Sequence, residues 1–346
     1  MAESDAEAAR AAAIADFLRA HGWGAARRVR LADDASFRRY ERLYGMRDRA
    51  VLMDAPPPHE DVRPFVAMSA ILNHLGLSAP HVRAHDAGRG VVLLEDLGDD
   101  RLAERVDGAG ADLDGLYALA TDTLIALHDA WDTAEALPAP APPAYDTAKL
   151  VEGEAMLFAD WYAPAVGVRL DAAARDAWAE AWRSALTPAL ALPHTLTLRD
   201  YFPDNLMYRP DRPGVRACGL LDFQDAVIGP CAYDLMSLLQ DARRDVPAQI
   251  EETMLRRYLD ARPGIDPEAL RTGYAVLAAQ RHAKVIGIFT RLAHRDGKPA
   301  YLRHIPRLWR MLETSLAEPA LAPVKTWLDT HLPAHRRVVP EAEVPA

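Results

Sequence analysis

Lysine is nearly absent from this chain. Its basic residues are almost all arginine; lysine occurs only at Lys149, Lys284, Lys298 and Lys325, so the first 148 residues contain none. Cysteine is scarcer still, with Cys218 and Cys231 alone, which excludes both a disulfide framework and a four-thiolate zinc site; both are expected to be packing residues. No apolar run approaches the roughly twenty residues that span a bilayer. The acidic opening MAESDAEAARAAAIADFLRA lacks the basic start and long apolar centre of a secretory signal, so the expected location is cytoplasmic, with no membrane partner. Basic residues do not outnumber acidic ones: 40 Lys and Arg stand against 50 Asp and Glu, a formal charge of −10 over 346 residues. A net acidic chain is poorly suited to a phosphodiester backbone, so nucleic acid is not expected as a partner. A compact anion held by local arginine and metal remains compatible with that charge.

Helical and strand periods alternate along the first hundred residues. Residues 5–20 carry Ala, Ile and Leu at helical spacing. Arg27–Leu31, Phe37–Leu43 and Ala50–Met53 have strand character, the last closed by Pro56, Pro57 and Pro58, which cannot donate to a ladder. Val62–Leu75 is apolar at 62, 65, 66, 68, 71, 72 and 75, the pattern of a helix packed on one side. His81–Ala87 and Val91–Glu95 flank a glycine turn and predict a hairpin. After LEDLGDD the pattern becomes helical: Leu113, Leu116, Tyr117, Ala120, Leu124, Leu127 and Trp131 share one helix face. LPAPAPPA over 137–144 is a stiff extended linker. Helices are predicted over 147–162 and 171–187, short strands at Leu196–Leu198 and Cys218–Leu221, and almost continuous helix from Tyr233 to Leu328. The expected fold class is α+β, with a small sheet-rich lobe over 1–96, a large helical lobe over 97–335 and a tail over 336–346.

The chemistry concentrates in TLRDYFPDNLMYRPDRPGVRACGLLDFQDAVIGPCAYDL. Asp200 and Asn205 lie five apart after one apolar run, and Asp222 succeeds another. Phosphoryl transfer asks little covalent chemistry of a protein. It needs a divalent cation on the phosphates and a carboxylate aimed at the acceptor hydroxyl. Mg²⁺ accepts hard oxygen ligands, typically one or two side chains with phosphate and water completing the octahedron. A carboxylate and an amide on neighbouring loops meet that demand. D-x-x-x-x-N followed by an apolar-D-F is the catalytic-loop and metal-loop pattern of kinases.

With RDYFPDN and LLDFQ in place, the sequence resembles the aminoglycoside phosphotransferase and choline kinase superfamily. Within it the sequence is most similar to the bacterial N-acetylmuramate/N-acetylglucosamine anomeric kinases of cell-wall recycling. ASFRRY (35–40), VLLEDLGDD (92–100) and GIFTRLAHRDGKPAYLRHIPRLW (287–309) carry the narrower likeness, which runs from about residue 10 to 330. The resemblance implies a protein-kinase-like two-lobed fold, with ATP between the lobes and a small-molecule acceptor in the helical lobe. It implies that Asp200 is the catalytic aspartate and that Asn205 and Asp222 hold Mg²⁺. It implies a hinge at Glu95 to Leu97 whose backbone meets the adenine edge, and a phosphate-covering loop over Ser36 to Tyr40. Asp234 matches a buried aspartate that braces the catalytic loop. The expected reaction is ATP-dependent phosphorylation of an amino-sugar hydroxyl. An aminoglycoside, choline or homoserine acceptor, or a nucleotide-binding pseudokinase, are the rival readings.

Two departures stand out. Leu198 occupies the position of a histidine found in most relatives, and Met53 lies where kinases place a phosphate-binding lysine. No glycine occurs from Ala25 to Tyr44 either. Arg38 and Arg39 are the candidates to balance the phosphate charge, since a guanidinium grips phosphate oxygens in two-pronged fashion; strand alternation directs at most one of them there. For the acceptor, Gln224, Asp225 and Arg243 are the candidate contacts. Asp225 equally fits a helix cap or a surface pair, and Arg243 the C-terminal end of a helix dipole. His294, Arg295, Lys298, Arg303 and His304 form a basic cluster that fits either a loop surface or an anionic acceptor. His81, His85 and His194 show no metal-ligand spacing.

Overall fold

The structure is a computed structural model, and it describes residues 2–31 and 38–341. In chain order the elements are α1 (Ala2–Ala20), β1 (Arg27–Arg30), β2 (Arg39–Tyr44), β3 (Arg49–Asp54), α2 (Arg63–His74), β4 (Val82–Asp86), β5 (Val91–Glu95), α3 (Leu102–Val106), α4 (Leu113–Thr133) and α5 (Thr147–Leu150). They continue with α6 (Ala163–Ala165), α7 (Ala172–Leu190), β6 (His194–Thr197), β7 (Leu206–Tyr208), β8 (Cys218–Leu220), β9 (Val227–Pro230), α8 (Ala232–Leu239), α9 (Ala248–Ala261), α10 (Pro267–His294), α11 (Ile305–Ser315) and α12 (Ala322–His331). The chain divides into two compact units. One comprises Met1–Asp112, Asp129–Ala141 and Pro203–Ala226; the other comprises Leu113–His128, Pro142–Phe202 and Val227–Ala346.

The first unit is built on a five-stranded antiparallel sheet in the order β1-β2-β3-β5-β4. The alternating pattern read from the sequence decides which side chains enter its core. Leu43, Ala50, Leu52, Val91 and Leu93 meet Ile14, Phe17 and Leu18 of α1 in one buried cluster. Each large apolar side chain so buried contributes about 1.5–3 kcal/mol. Met53, at the kinase-lysine position, is buried in the central strand opposite Tyr40 and Val92. The β7–β8 hairpin also belongs to this unit, bridged through Gly219 to Ser78 ahead of β4 and through Met207 to Arg101.

The second unit is helical around α10, which lies against α7, α8 and α11. The expected helix over 147–162 departs from plain α geometry: Val151–Ala155 and Phe158–Tyr162 are π-helical turns. Such turns admit an extra residue and so rotate the next turn of helix. Here they coincide with a close approach, since a Cβ on Gly287 would stand 2.4 Å from the carbonyl carbon of Leu157 and 2.7 Å from the nitrogen of Phe158. Trp178 donates its indole N–H to the Ala155 carbonyl at 3.0 Å and stacks on Phe158, so one side chain both satisfies the widened turn and packs on it. Residues 137–144 form neither helix nor strand, apart from a single bridge from Ala144 to Ile228. Both cysteines are buried and neither is in a disulfide, and among the described residues no helix is long and apolar enough to cross a membrane.

Candidate phosphotransfer site

In the first unit, Asp222 lies just past β8 with a left-handed backbone, φ 57°. Asp tolerates this region better than most residues because its short carboxylate bonds locally. Both carboxylate oxygens accept amide protons: Oδ2 from Asn205 Nδ2 at 3.2 Å and Oδ1 from Gln224 Nε2 at 2.8 Å. Gln224 also donates to Asp225 at 3.3 Å. Asp225 stands in a turn ahead of strand β9, so it caps no helix, and a contact to Gln224 takes the place of that reading. The backbone ties the two loops together, the Leu221 N–H donating to the Asn205 carbonyl at 3.0 Å. The sequence therefore brings Asn205, Asp222, Gln224 and Asp225 into one cluster. Its donor set is carboxylate and amide oxygen, the hard chemistry that Mg²⁺ accepts. Among the described residues no group of three or more His, Cys, Asp or Glu is placed to hold a metal ion.

Glu95 ends β5 with its N–H on the His81 carbonyl at 2.9 Å, and its carboxylate pairs with Arg212. Leu97 is buried, and a Cβ on Gly219 of β8 would come within 3.1 Å of its Cδ1. The expected hinge thus packs beside the strand that leads to Asp222. Asp96, between them, is held by Arg42 at 2.9 Å. Arg38 pairs with Glu60 at 3.0 Å, and both side chains are largely covered. Arg39 is exposed at the start of β2. Ser36 lies outside the described residues.

Asp200 lies in the second unit. Its N–H folds back onto the Leu198 carbonyl at 2.9 Å, and its side chain is 42% exposed. Burial alone would raise this carboxyl, but the charges of Arg281, Lys284 and Arg199 outweigh burial and hold it below the ordinary carboxylate range. Arg281 Nη2 stands 3.4 Å from Oδ1. Beneath the loop, Asp234 of α8 accepts the backbone N–H groups of Leu198 at 2.5 Å and Arg199 at 2.9 Å. That is the bracing expected of it. Its burial pushes its own pKa up to about 7 despite those two bonds. Leu198 is itself buried and needs no histidine's polar contacts to sit there. Arg243 lies over the ring of Phe202 at 4.5 Å, while Arg244 pairs with Asp241 and Asp245 takes Arg307 and Arg310. In the basic cluster, Arg295 pairs with Asp296 and His294 bonds the Glu341 carbonyl, as a loop surface would.

Sequence reading missed the group that surrounds Asp200. Glu154 projects from the first π turn into the interior of the second unit. Its Oε1 takes Arg199 at 2.5 Å and Lys284 at 2.9 Å; its Oε2 takes the Tyr145 hydroxyl at 2.6 Å and Gln280 at 3.2 Å. Burial would raise Glu154, but Lys284, Arg199 and the bond from Tyr145 bring it down to about 2. The one available signal was Lys284, a lysine in a lysine-poor chain within an apolar helical stretch.

Comparison with known proteins shows the family. The model of the phosphotransferase enzyme family matches residues 27–272. The chain is 39% identical over 96% of its length, and 99% of the other's, to an N-acetylmuramate/N-acetylglucosamine kinase of Caulobacter vibrioides. It is 40% identical to a kinase of the same description from Pseudomonas aeruginosa, over 88% of this chain and 89% of that one. Among solved structures, a choline/ethanolamine kinase family protein from Mesorhizobium loti shares the fold, with a TM-score of 0.54 at 18% identity over 87% of this chain and 92% of the other.

Proposed function

The chain belongs to the phosphotransferase enzyme family, and from that premise we propose that it transfers the γ-phosphoryl group of ATP to the anomeric hydroxyl of N-acetylmuramate or N-acetylglucosamine. Asp200 is the group that orients the sugar hydroxyl and takes its proton. The sugar oxygen bonds to the γ-phosphorus, the bond from that phosphorus to the β,γ-bridging oxygen breaks, and ADP leaves. Asn205 and Asp222 would hold Mg²⁺, which when bound spreads the charge that builds on the phosphate oxygens. The backbone at Glu95 and Leu97 takes the adenine edge, and Gln224, Asp225 and Arg243 remain the proposed acceptor contacts.

The observation that carries this reading is the Asp200 carboxylate with the Arg281 guanidinium 3.4 Å from its Oδ1, where neighbouring cations favour its charged form, in a chain so similar along nearly its whole length to kinases of those two sugars. Ionisation matters because only the carboxylate form accepts the hydroxyl proton. Charge balance on the α- and β-phosphates falls to Arg39: Arg38 already carries Glu60, whereas Arg39 is exposed. Arg39→Ala should therefore raise the KM for ATP about tenfold with kcat little changed, the mark of lost ground-state binding.

The test is an acceptor panel with radiolabelled ATP and Mg²⁺: N-acetylmuramate, N-acetylglucosamine, choline, homoserine and an aminoglycoside. Label transferred to the amino sugars, with phosphorus NMR locating it on the anomeric oxygen, is the expected result. Transfer only to an amino alcohol would replace the sugar reading, and ATP binding without transfer to any acceptor would leave a nucleotide-binding protein.

A further inference from the structure

Arg281 sits in the interior of α10, far along the chain from the loop it serves, with only 9% of its side chain exposed. Its guanidinium reaches two consecutive residues of that loop at once. Nη1 donates to the Arg199 backbone carbonyl at 3.0 Å, and Nη2 lies 3.4 Å from Asp200 Oδ1. The Tyr233 hydroxyl, 3.3 Å from Nη1, supports the fork from behind. Because the guanidinium is planar and rigid, contacts to a carbonyl and to the next residue's carboxylate set the direction of that carboxylate relative to the backbone.

The residue between them is held just as closely. Arg199 has a left-handed backbone, φ 71°, a conformation that costs a non-glycine residue about 1–2 kcal/mol. It is held at several points: its N–H by Asp234, its carbonyl by Arg281 and the Ser237 hydroxyl, its Nη2 by Glu154, with the Tyr145 ring 5.4 Å away. Lys284, three residues beyond Arg281 on α10, completes the pairing of Glu154 at 2.9 Å. The charged groups facing Asp200 are thus Arg281 and Lys284 from α10, Arg199 from its own loop and Asp234 from α8.

The plainer account is that these charges only stabilise the helical core. Buried ion pairs serve that end poorly, because desolvation offsets most of the attraction and apolar residues of like volume do as well or better. Their convergence on a single strained loop residue points instead to geometry.

We propose that Arg281 is a positioning residue for phosphotransfer, its fork tying the Arg199 carbonyl to the Asp200 carboxylate while the buried Glu154–Lys284 pair keeps Arg199 in the backbone conformation this requires. The inference rests on Asp200 being the proton acceptor of the proposed reaction, and a structural measurement separates the two. Arg281→Lys keeps the charge and loses the fork; Arg281→Gln loses both.

In assays saturated with ATP and amino sugar, kcat of Arg281→Lys should fall about 10- to 100-fold, because misplacing a reacting group by an ångström costs that much. The KM for ATP should stay within about twofold, since the lost contact is made to the reacting carboxylate and not to nucleotide. Arg281→Gln should fall at least as far. Unchanged kcat in Arg281→Lys would overturn the proposal. Crystal structures of the wild type and Arg281→Lys decide the same point without turnover. Rotation of the Asp200 carboxylate or relaxation of Arg199 from positive φ is expected, and an unmoved loop in the lysine variant would refute the positioning role even if no sugar were ever phosphorylated. A wild type without turnover whose loop shifts in Arg281→Lys would remove the proposed function and leave the positioning role standing.

Discussion

Asp200, Asp222 and Glu154 are three carboxylates in one chain with three different surroundings, and their expected behaviour differs accordingly. Asp200 makes its contacts to cations and loop backbone of the second unit, while Asp222 is bonded by two amides in the first. Asp200→Ala should therefore abolish sugar phosphorylation while ATP binding, followed by calorimetry, persists. Asp222→Ala should lower metal-dependent nucleotide binding as well. Glu154 is a matter of stability. Its removal takes the shared carboxylate from the buried Arg199 and Lys284 cations, so Glu154→Ala should cost about 3–5 kcal/mol in denaturant unfolding. Because its folded pKa of about 2 lies below the ordinary 4.5, its contribution is fully present above pH 4.5 and is lost as pH falls toward 2. Asp234 runs the other way. With a folded pKa raised from 3.8 to about 7, it favours the folded state below pH 3.8, and that advantage drains away as pH climbs to 7. Unfolding free energies of wild type and Glu154→Gln across pH 2–5 should differ in slope, the variant being flatter.

At the level of elements, helices with a strict apolar stripe were legible from spacing alone. Leu113–Trp131 became α4 and Val62–Leu75 became α2 with ends moved by a residue or two, because a stripe of that period buries itself only as a helix. The strands shifted similarly: Leu196–Leu198 was expected, whereas β6 runs His194–Thr197, set by pairing with β9. The π turns were not legible, since nothing in VEGEAMLFADWY distinguishes a widened turn from an α-helical one. They arise from packing against α10 at Gly287. Gly287→Ala places a methyl group inside van der Waals contact of backbone that cannot step aside, and it should destabilise the protein by about 1–3 kcal/mol, measured as a lowered midpoint of thermal or urea unfolding. If the π turns are what aim Glu154, the same variant should also reduce turnover.

Taken as a whole molecule, the chain carries ten negative charges in excess, yet it gathers arginine and lysine around one carboxylate. Global charge sets the class of partner, and local charge sets the chemistry. Removal of divalent cations with EDTA should therefore abolish phosphorylation, and added Mg²⁺ should restore it; turnover undiminished by chelation would exclude the metal role given to Asn205 and Asp222. Local sequence alone determined the strands and helices of the first hundred residues, the α+β class with a sheet-rich start and a helical remainder, and the motif that names Asp200, Asn205 and Asp222. Those features depend on residue periods and on spacings within a few dozen positions, which a linear reading contains. Tertiary structure alone decided that Glu154, Arg199, Arg281 and Lys284 meet beside Asp200. They come from segments as much as 130 residues apart, and a buried charge reveals its partner only once the helices carrying both have packed.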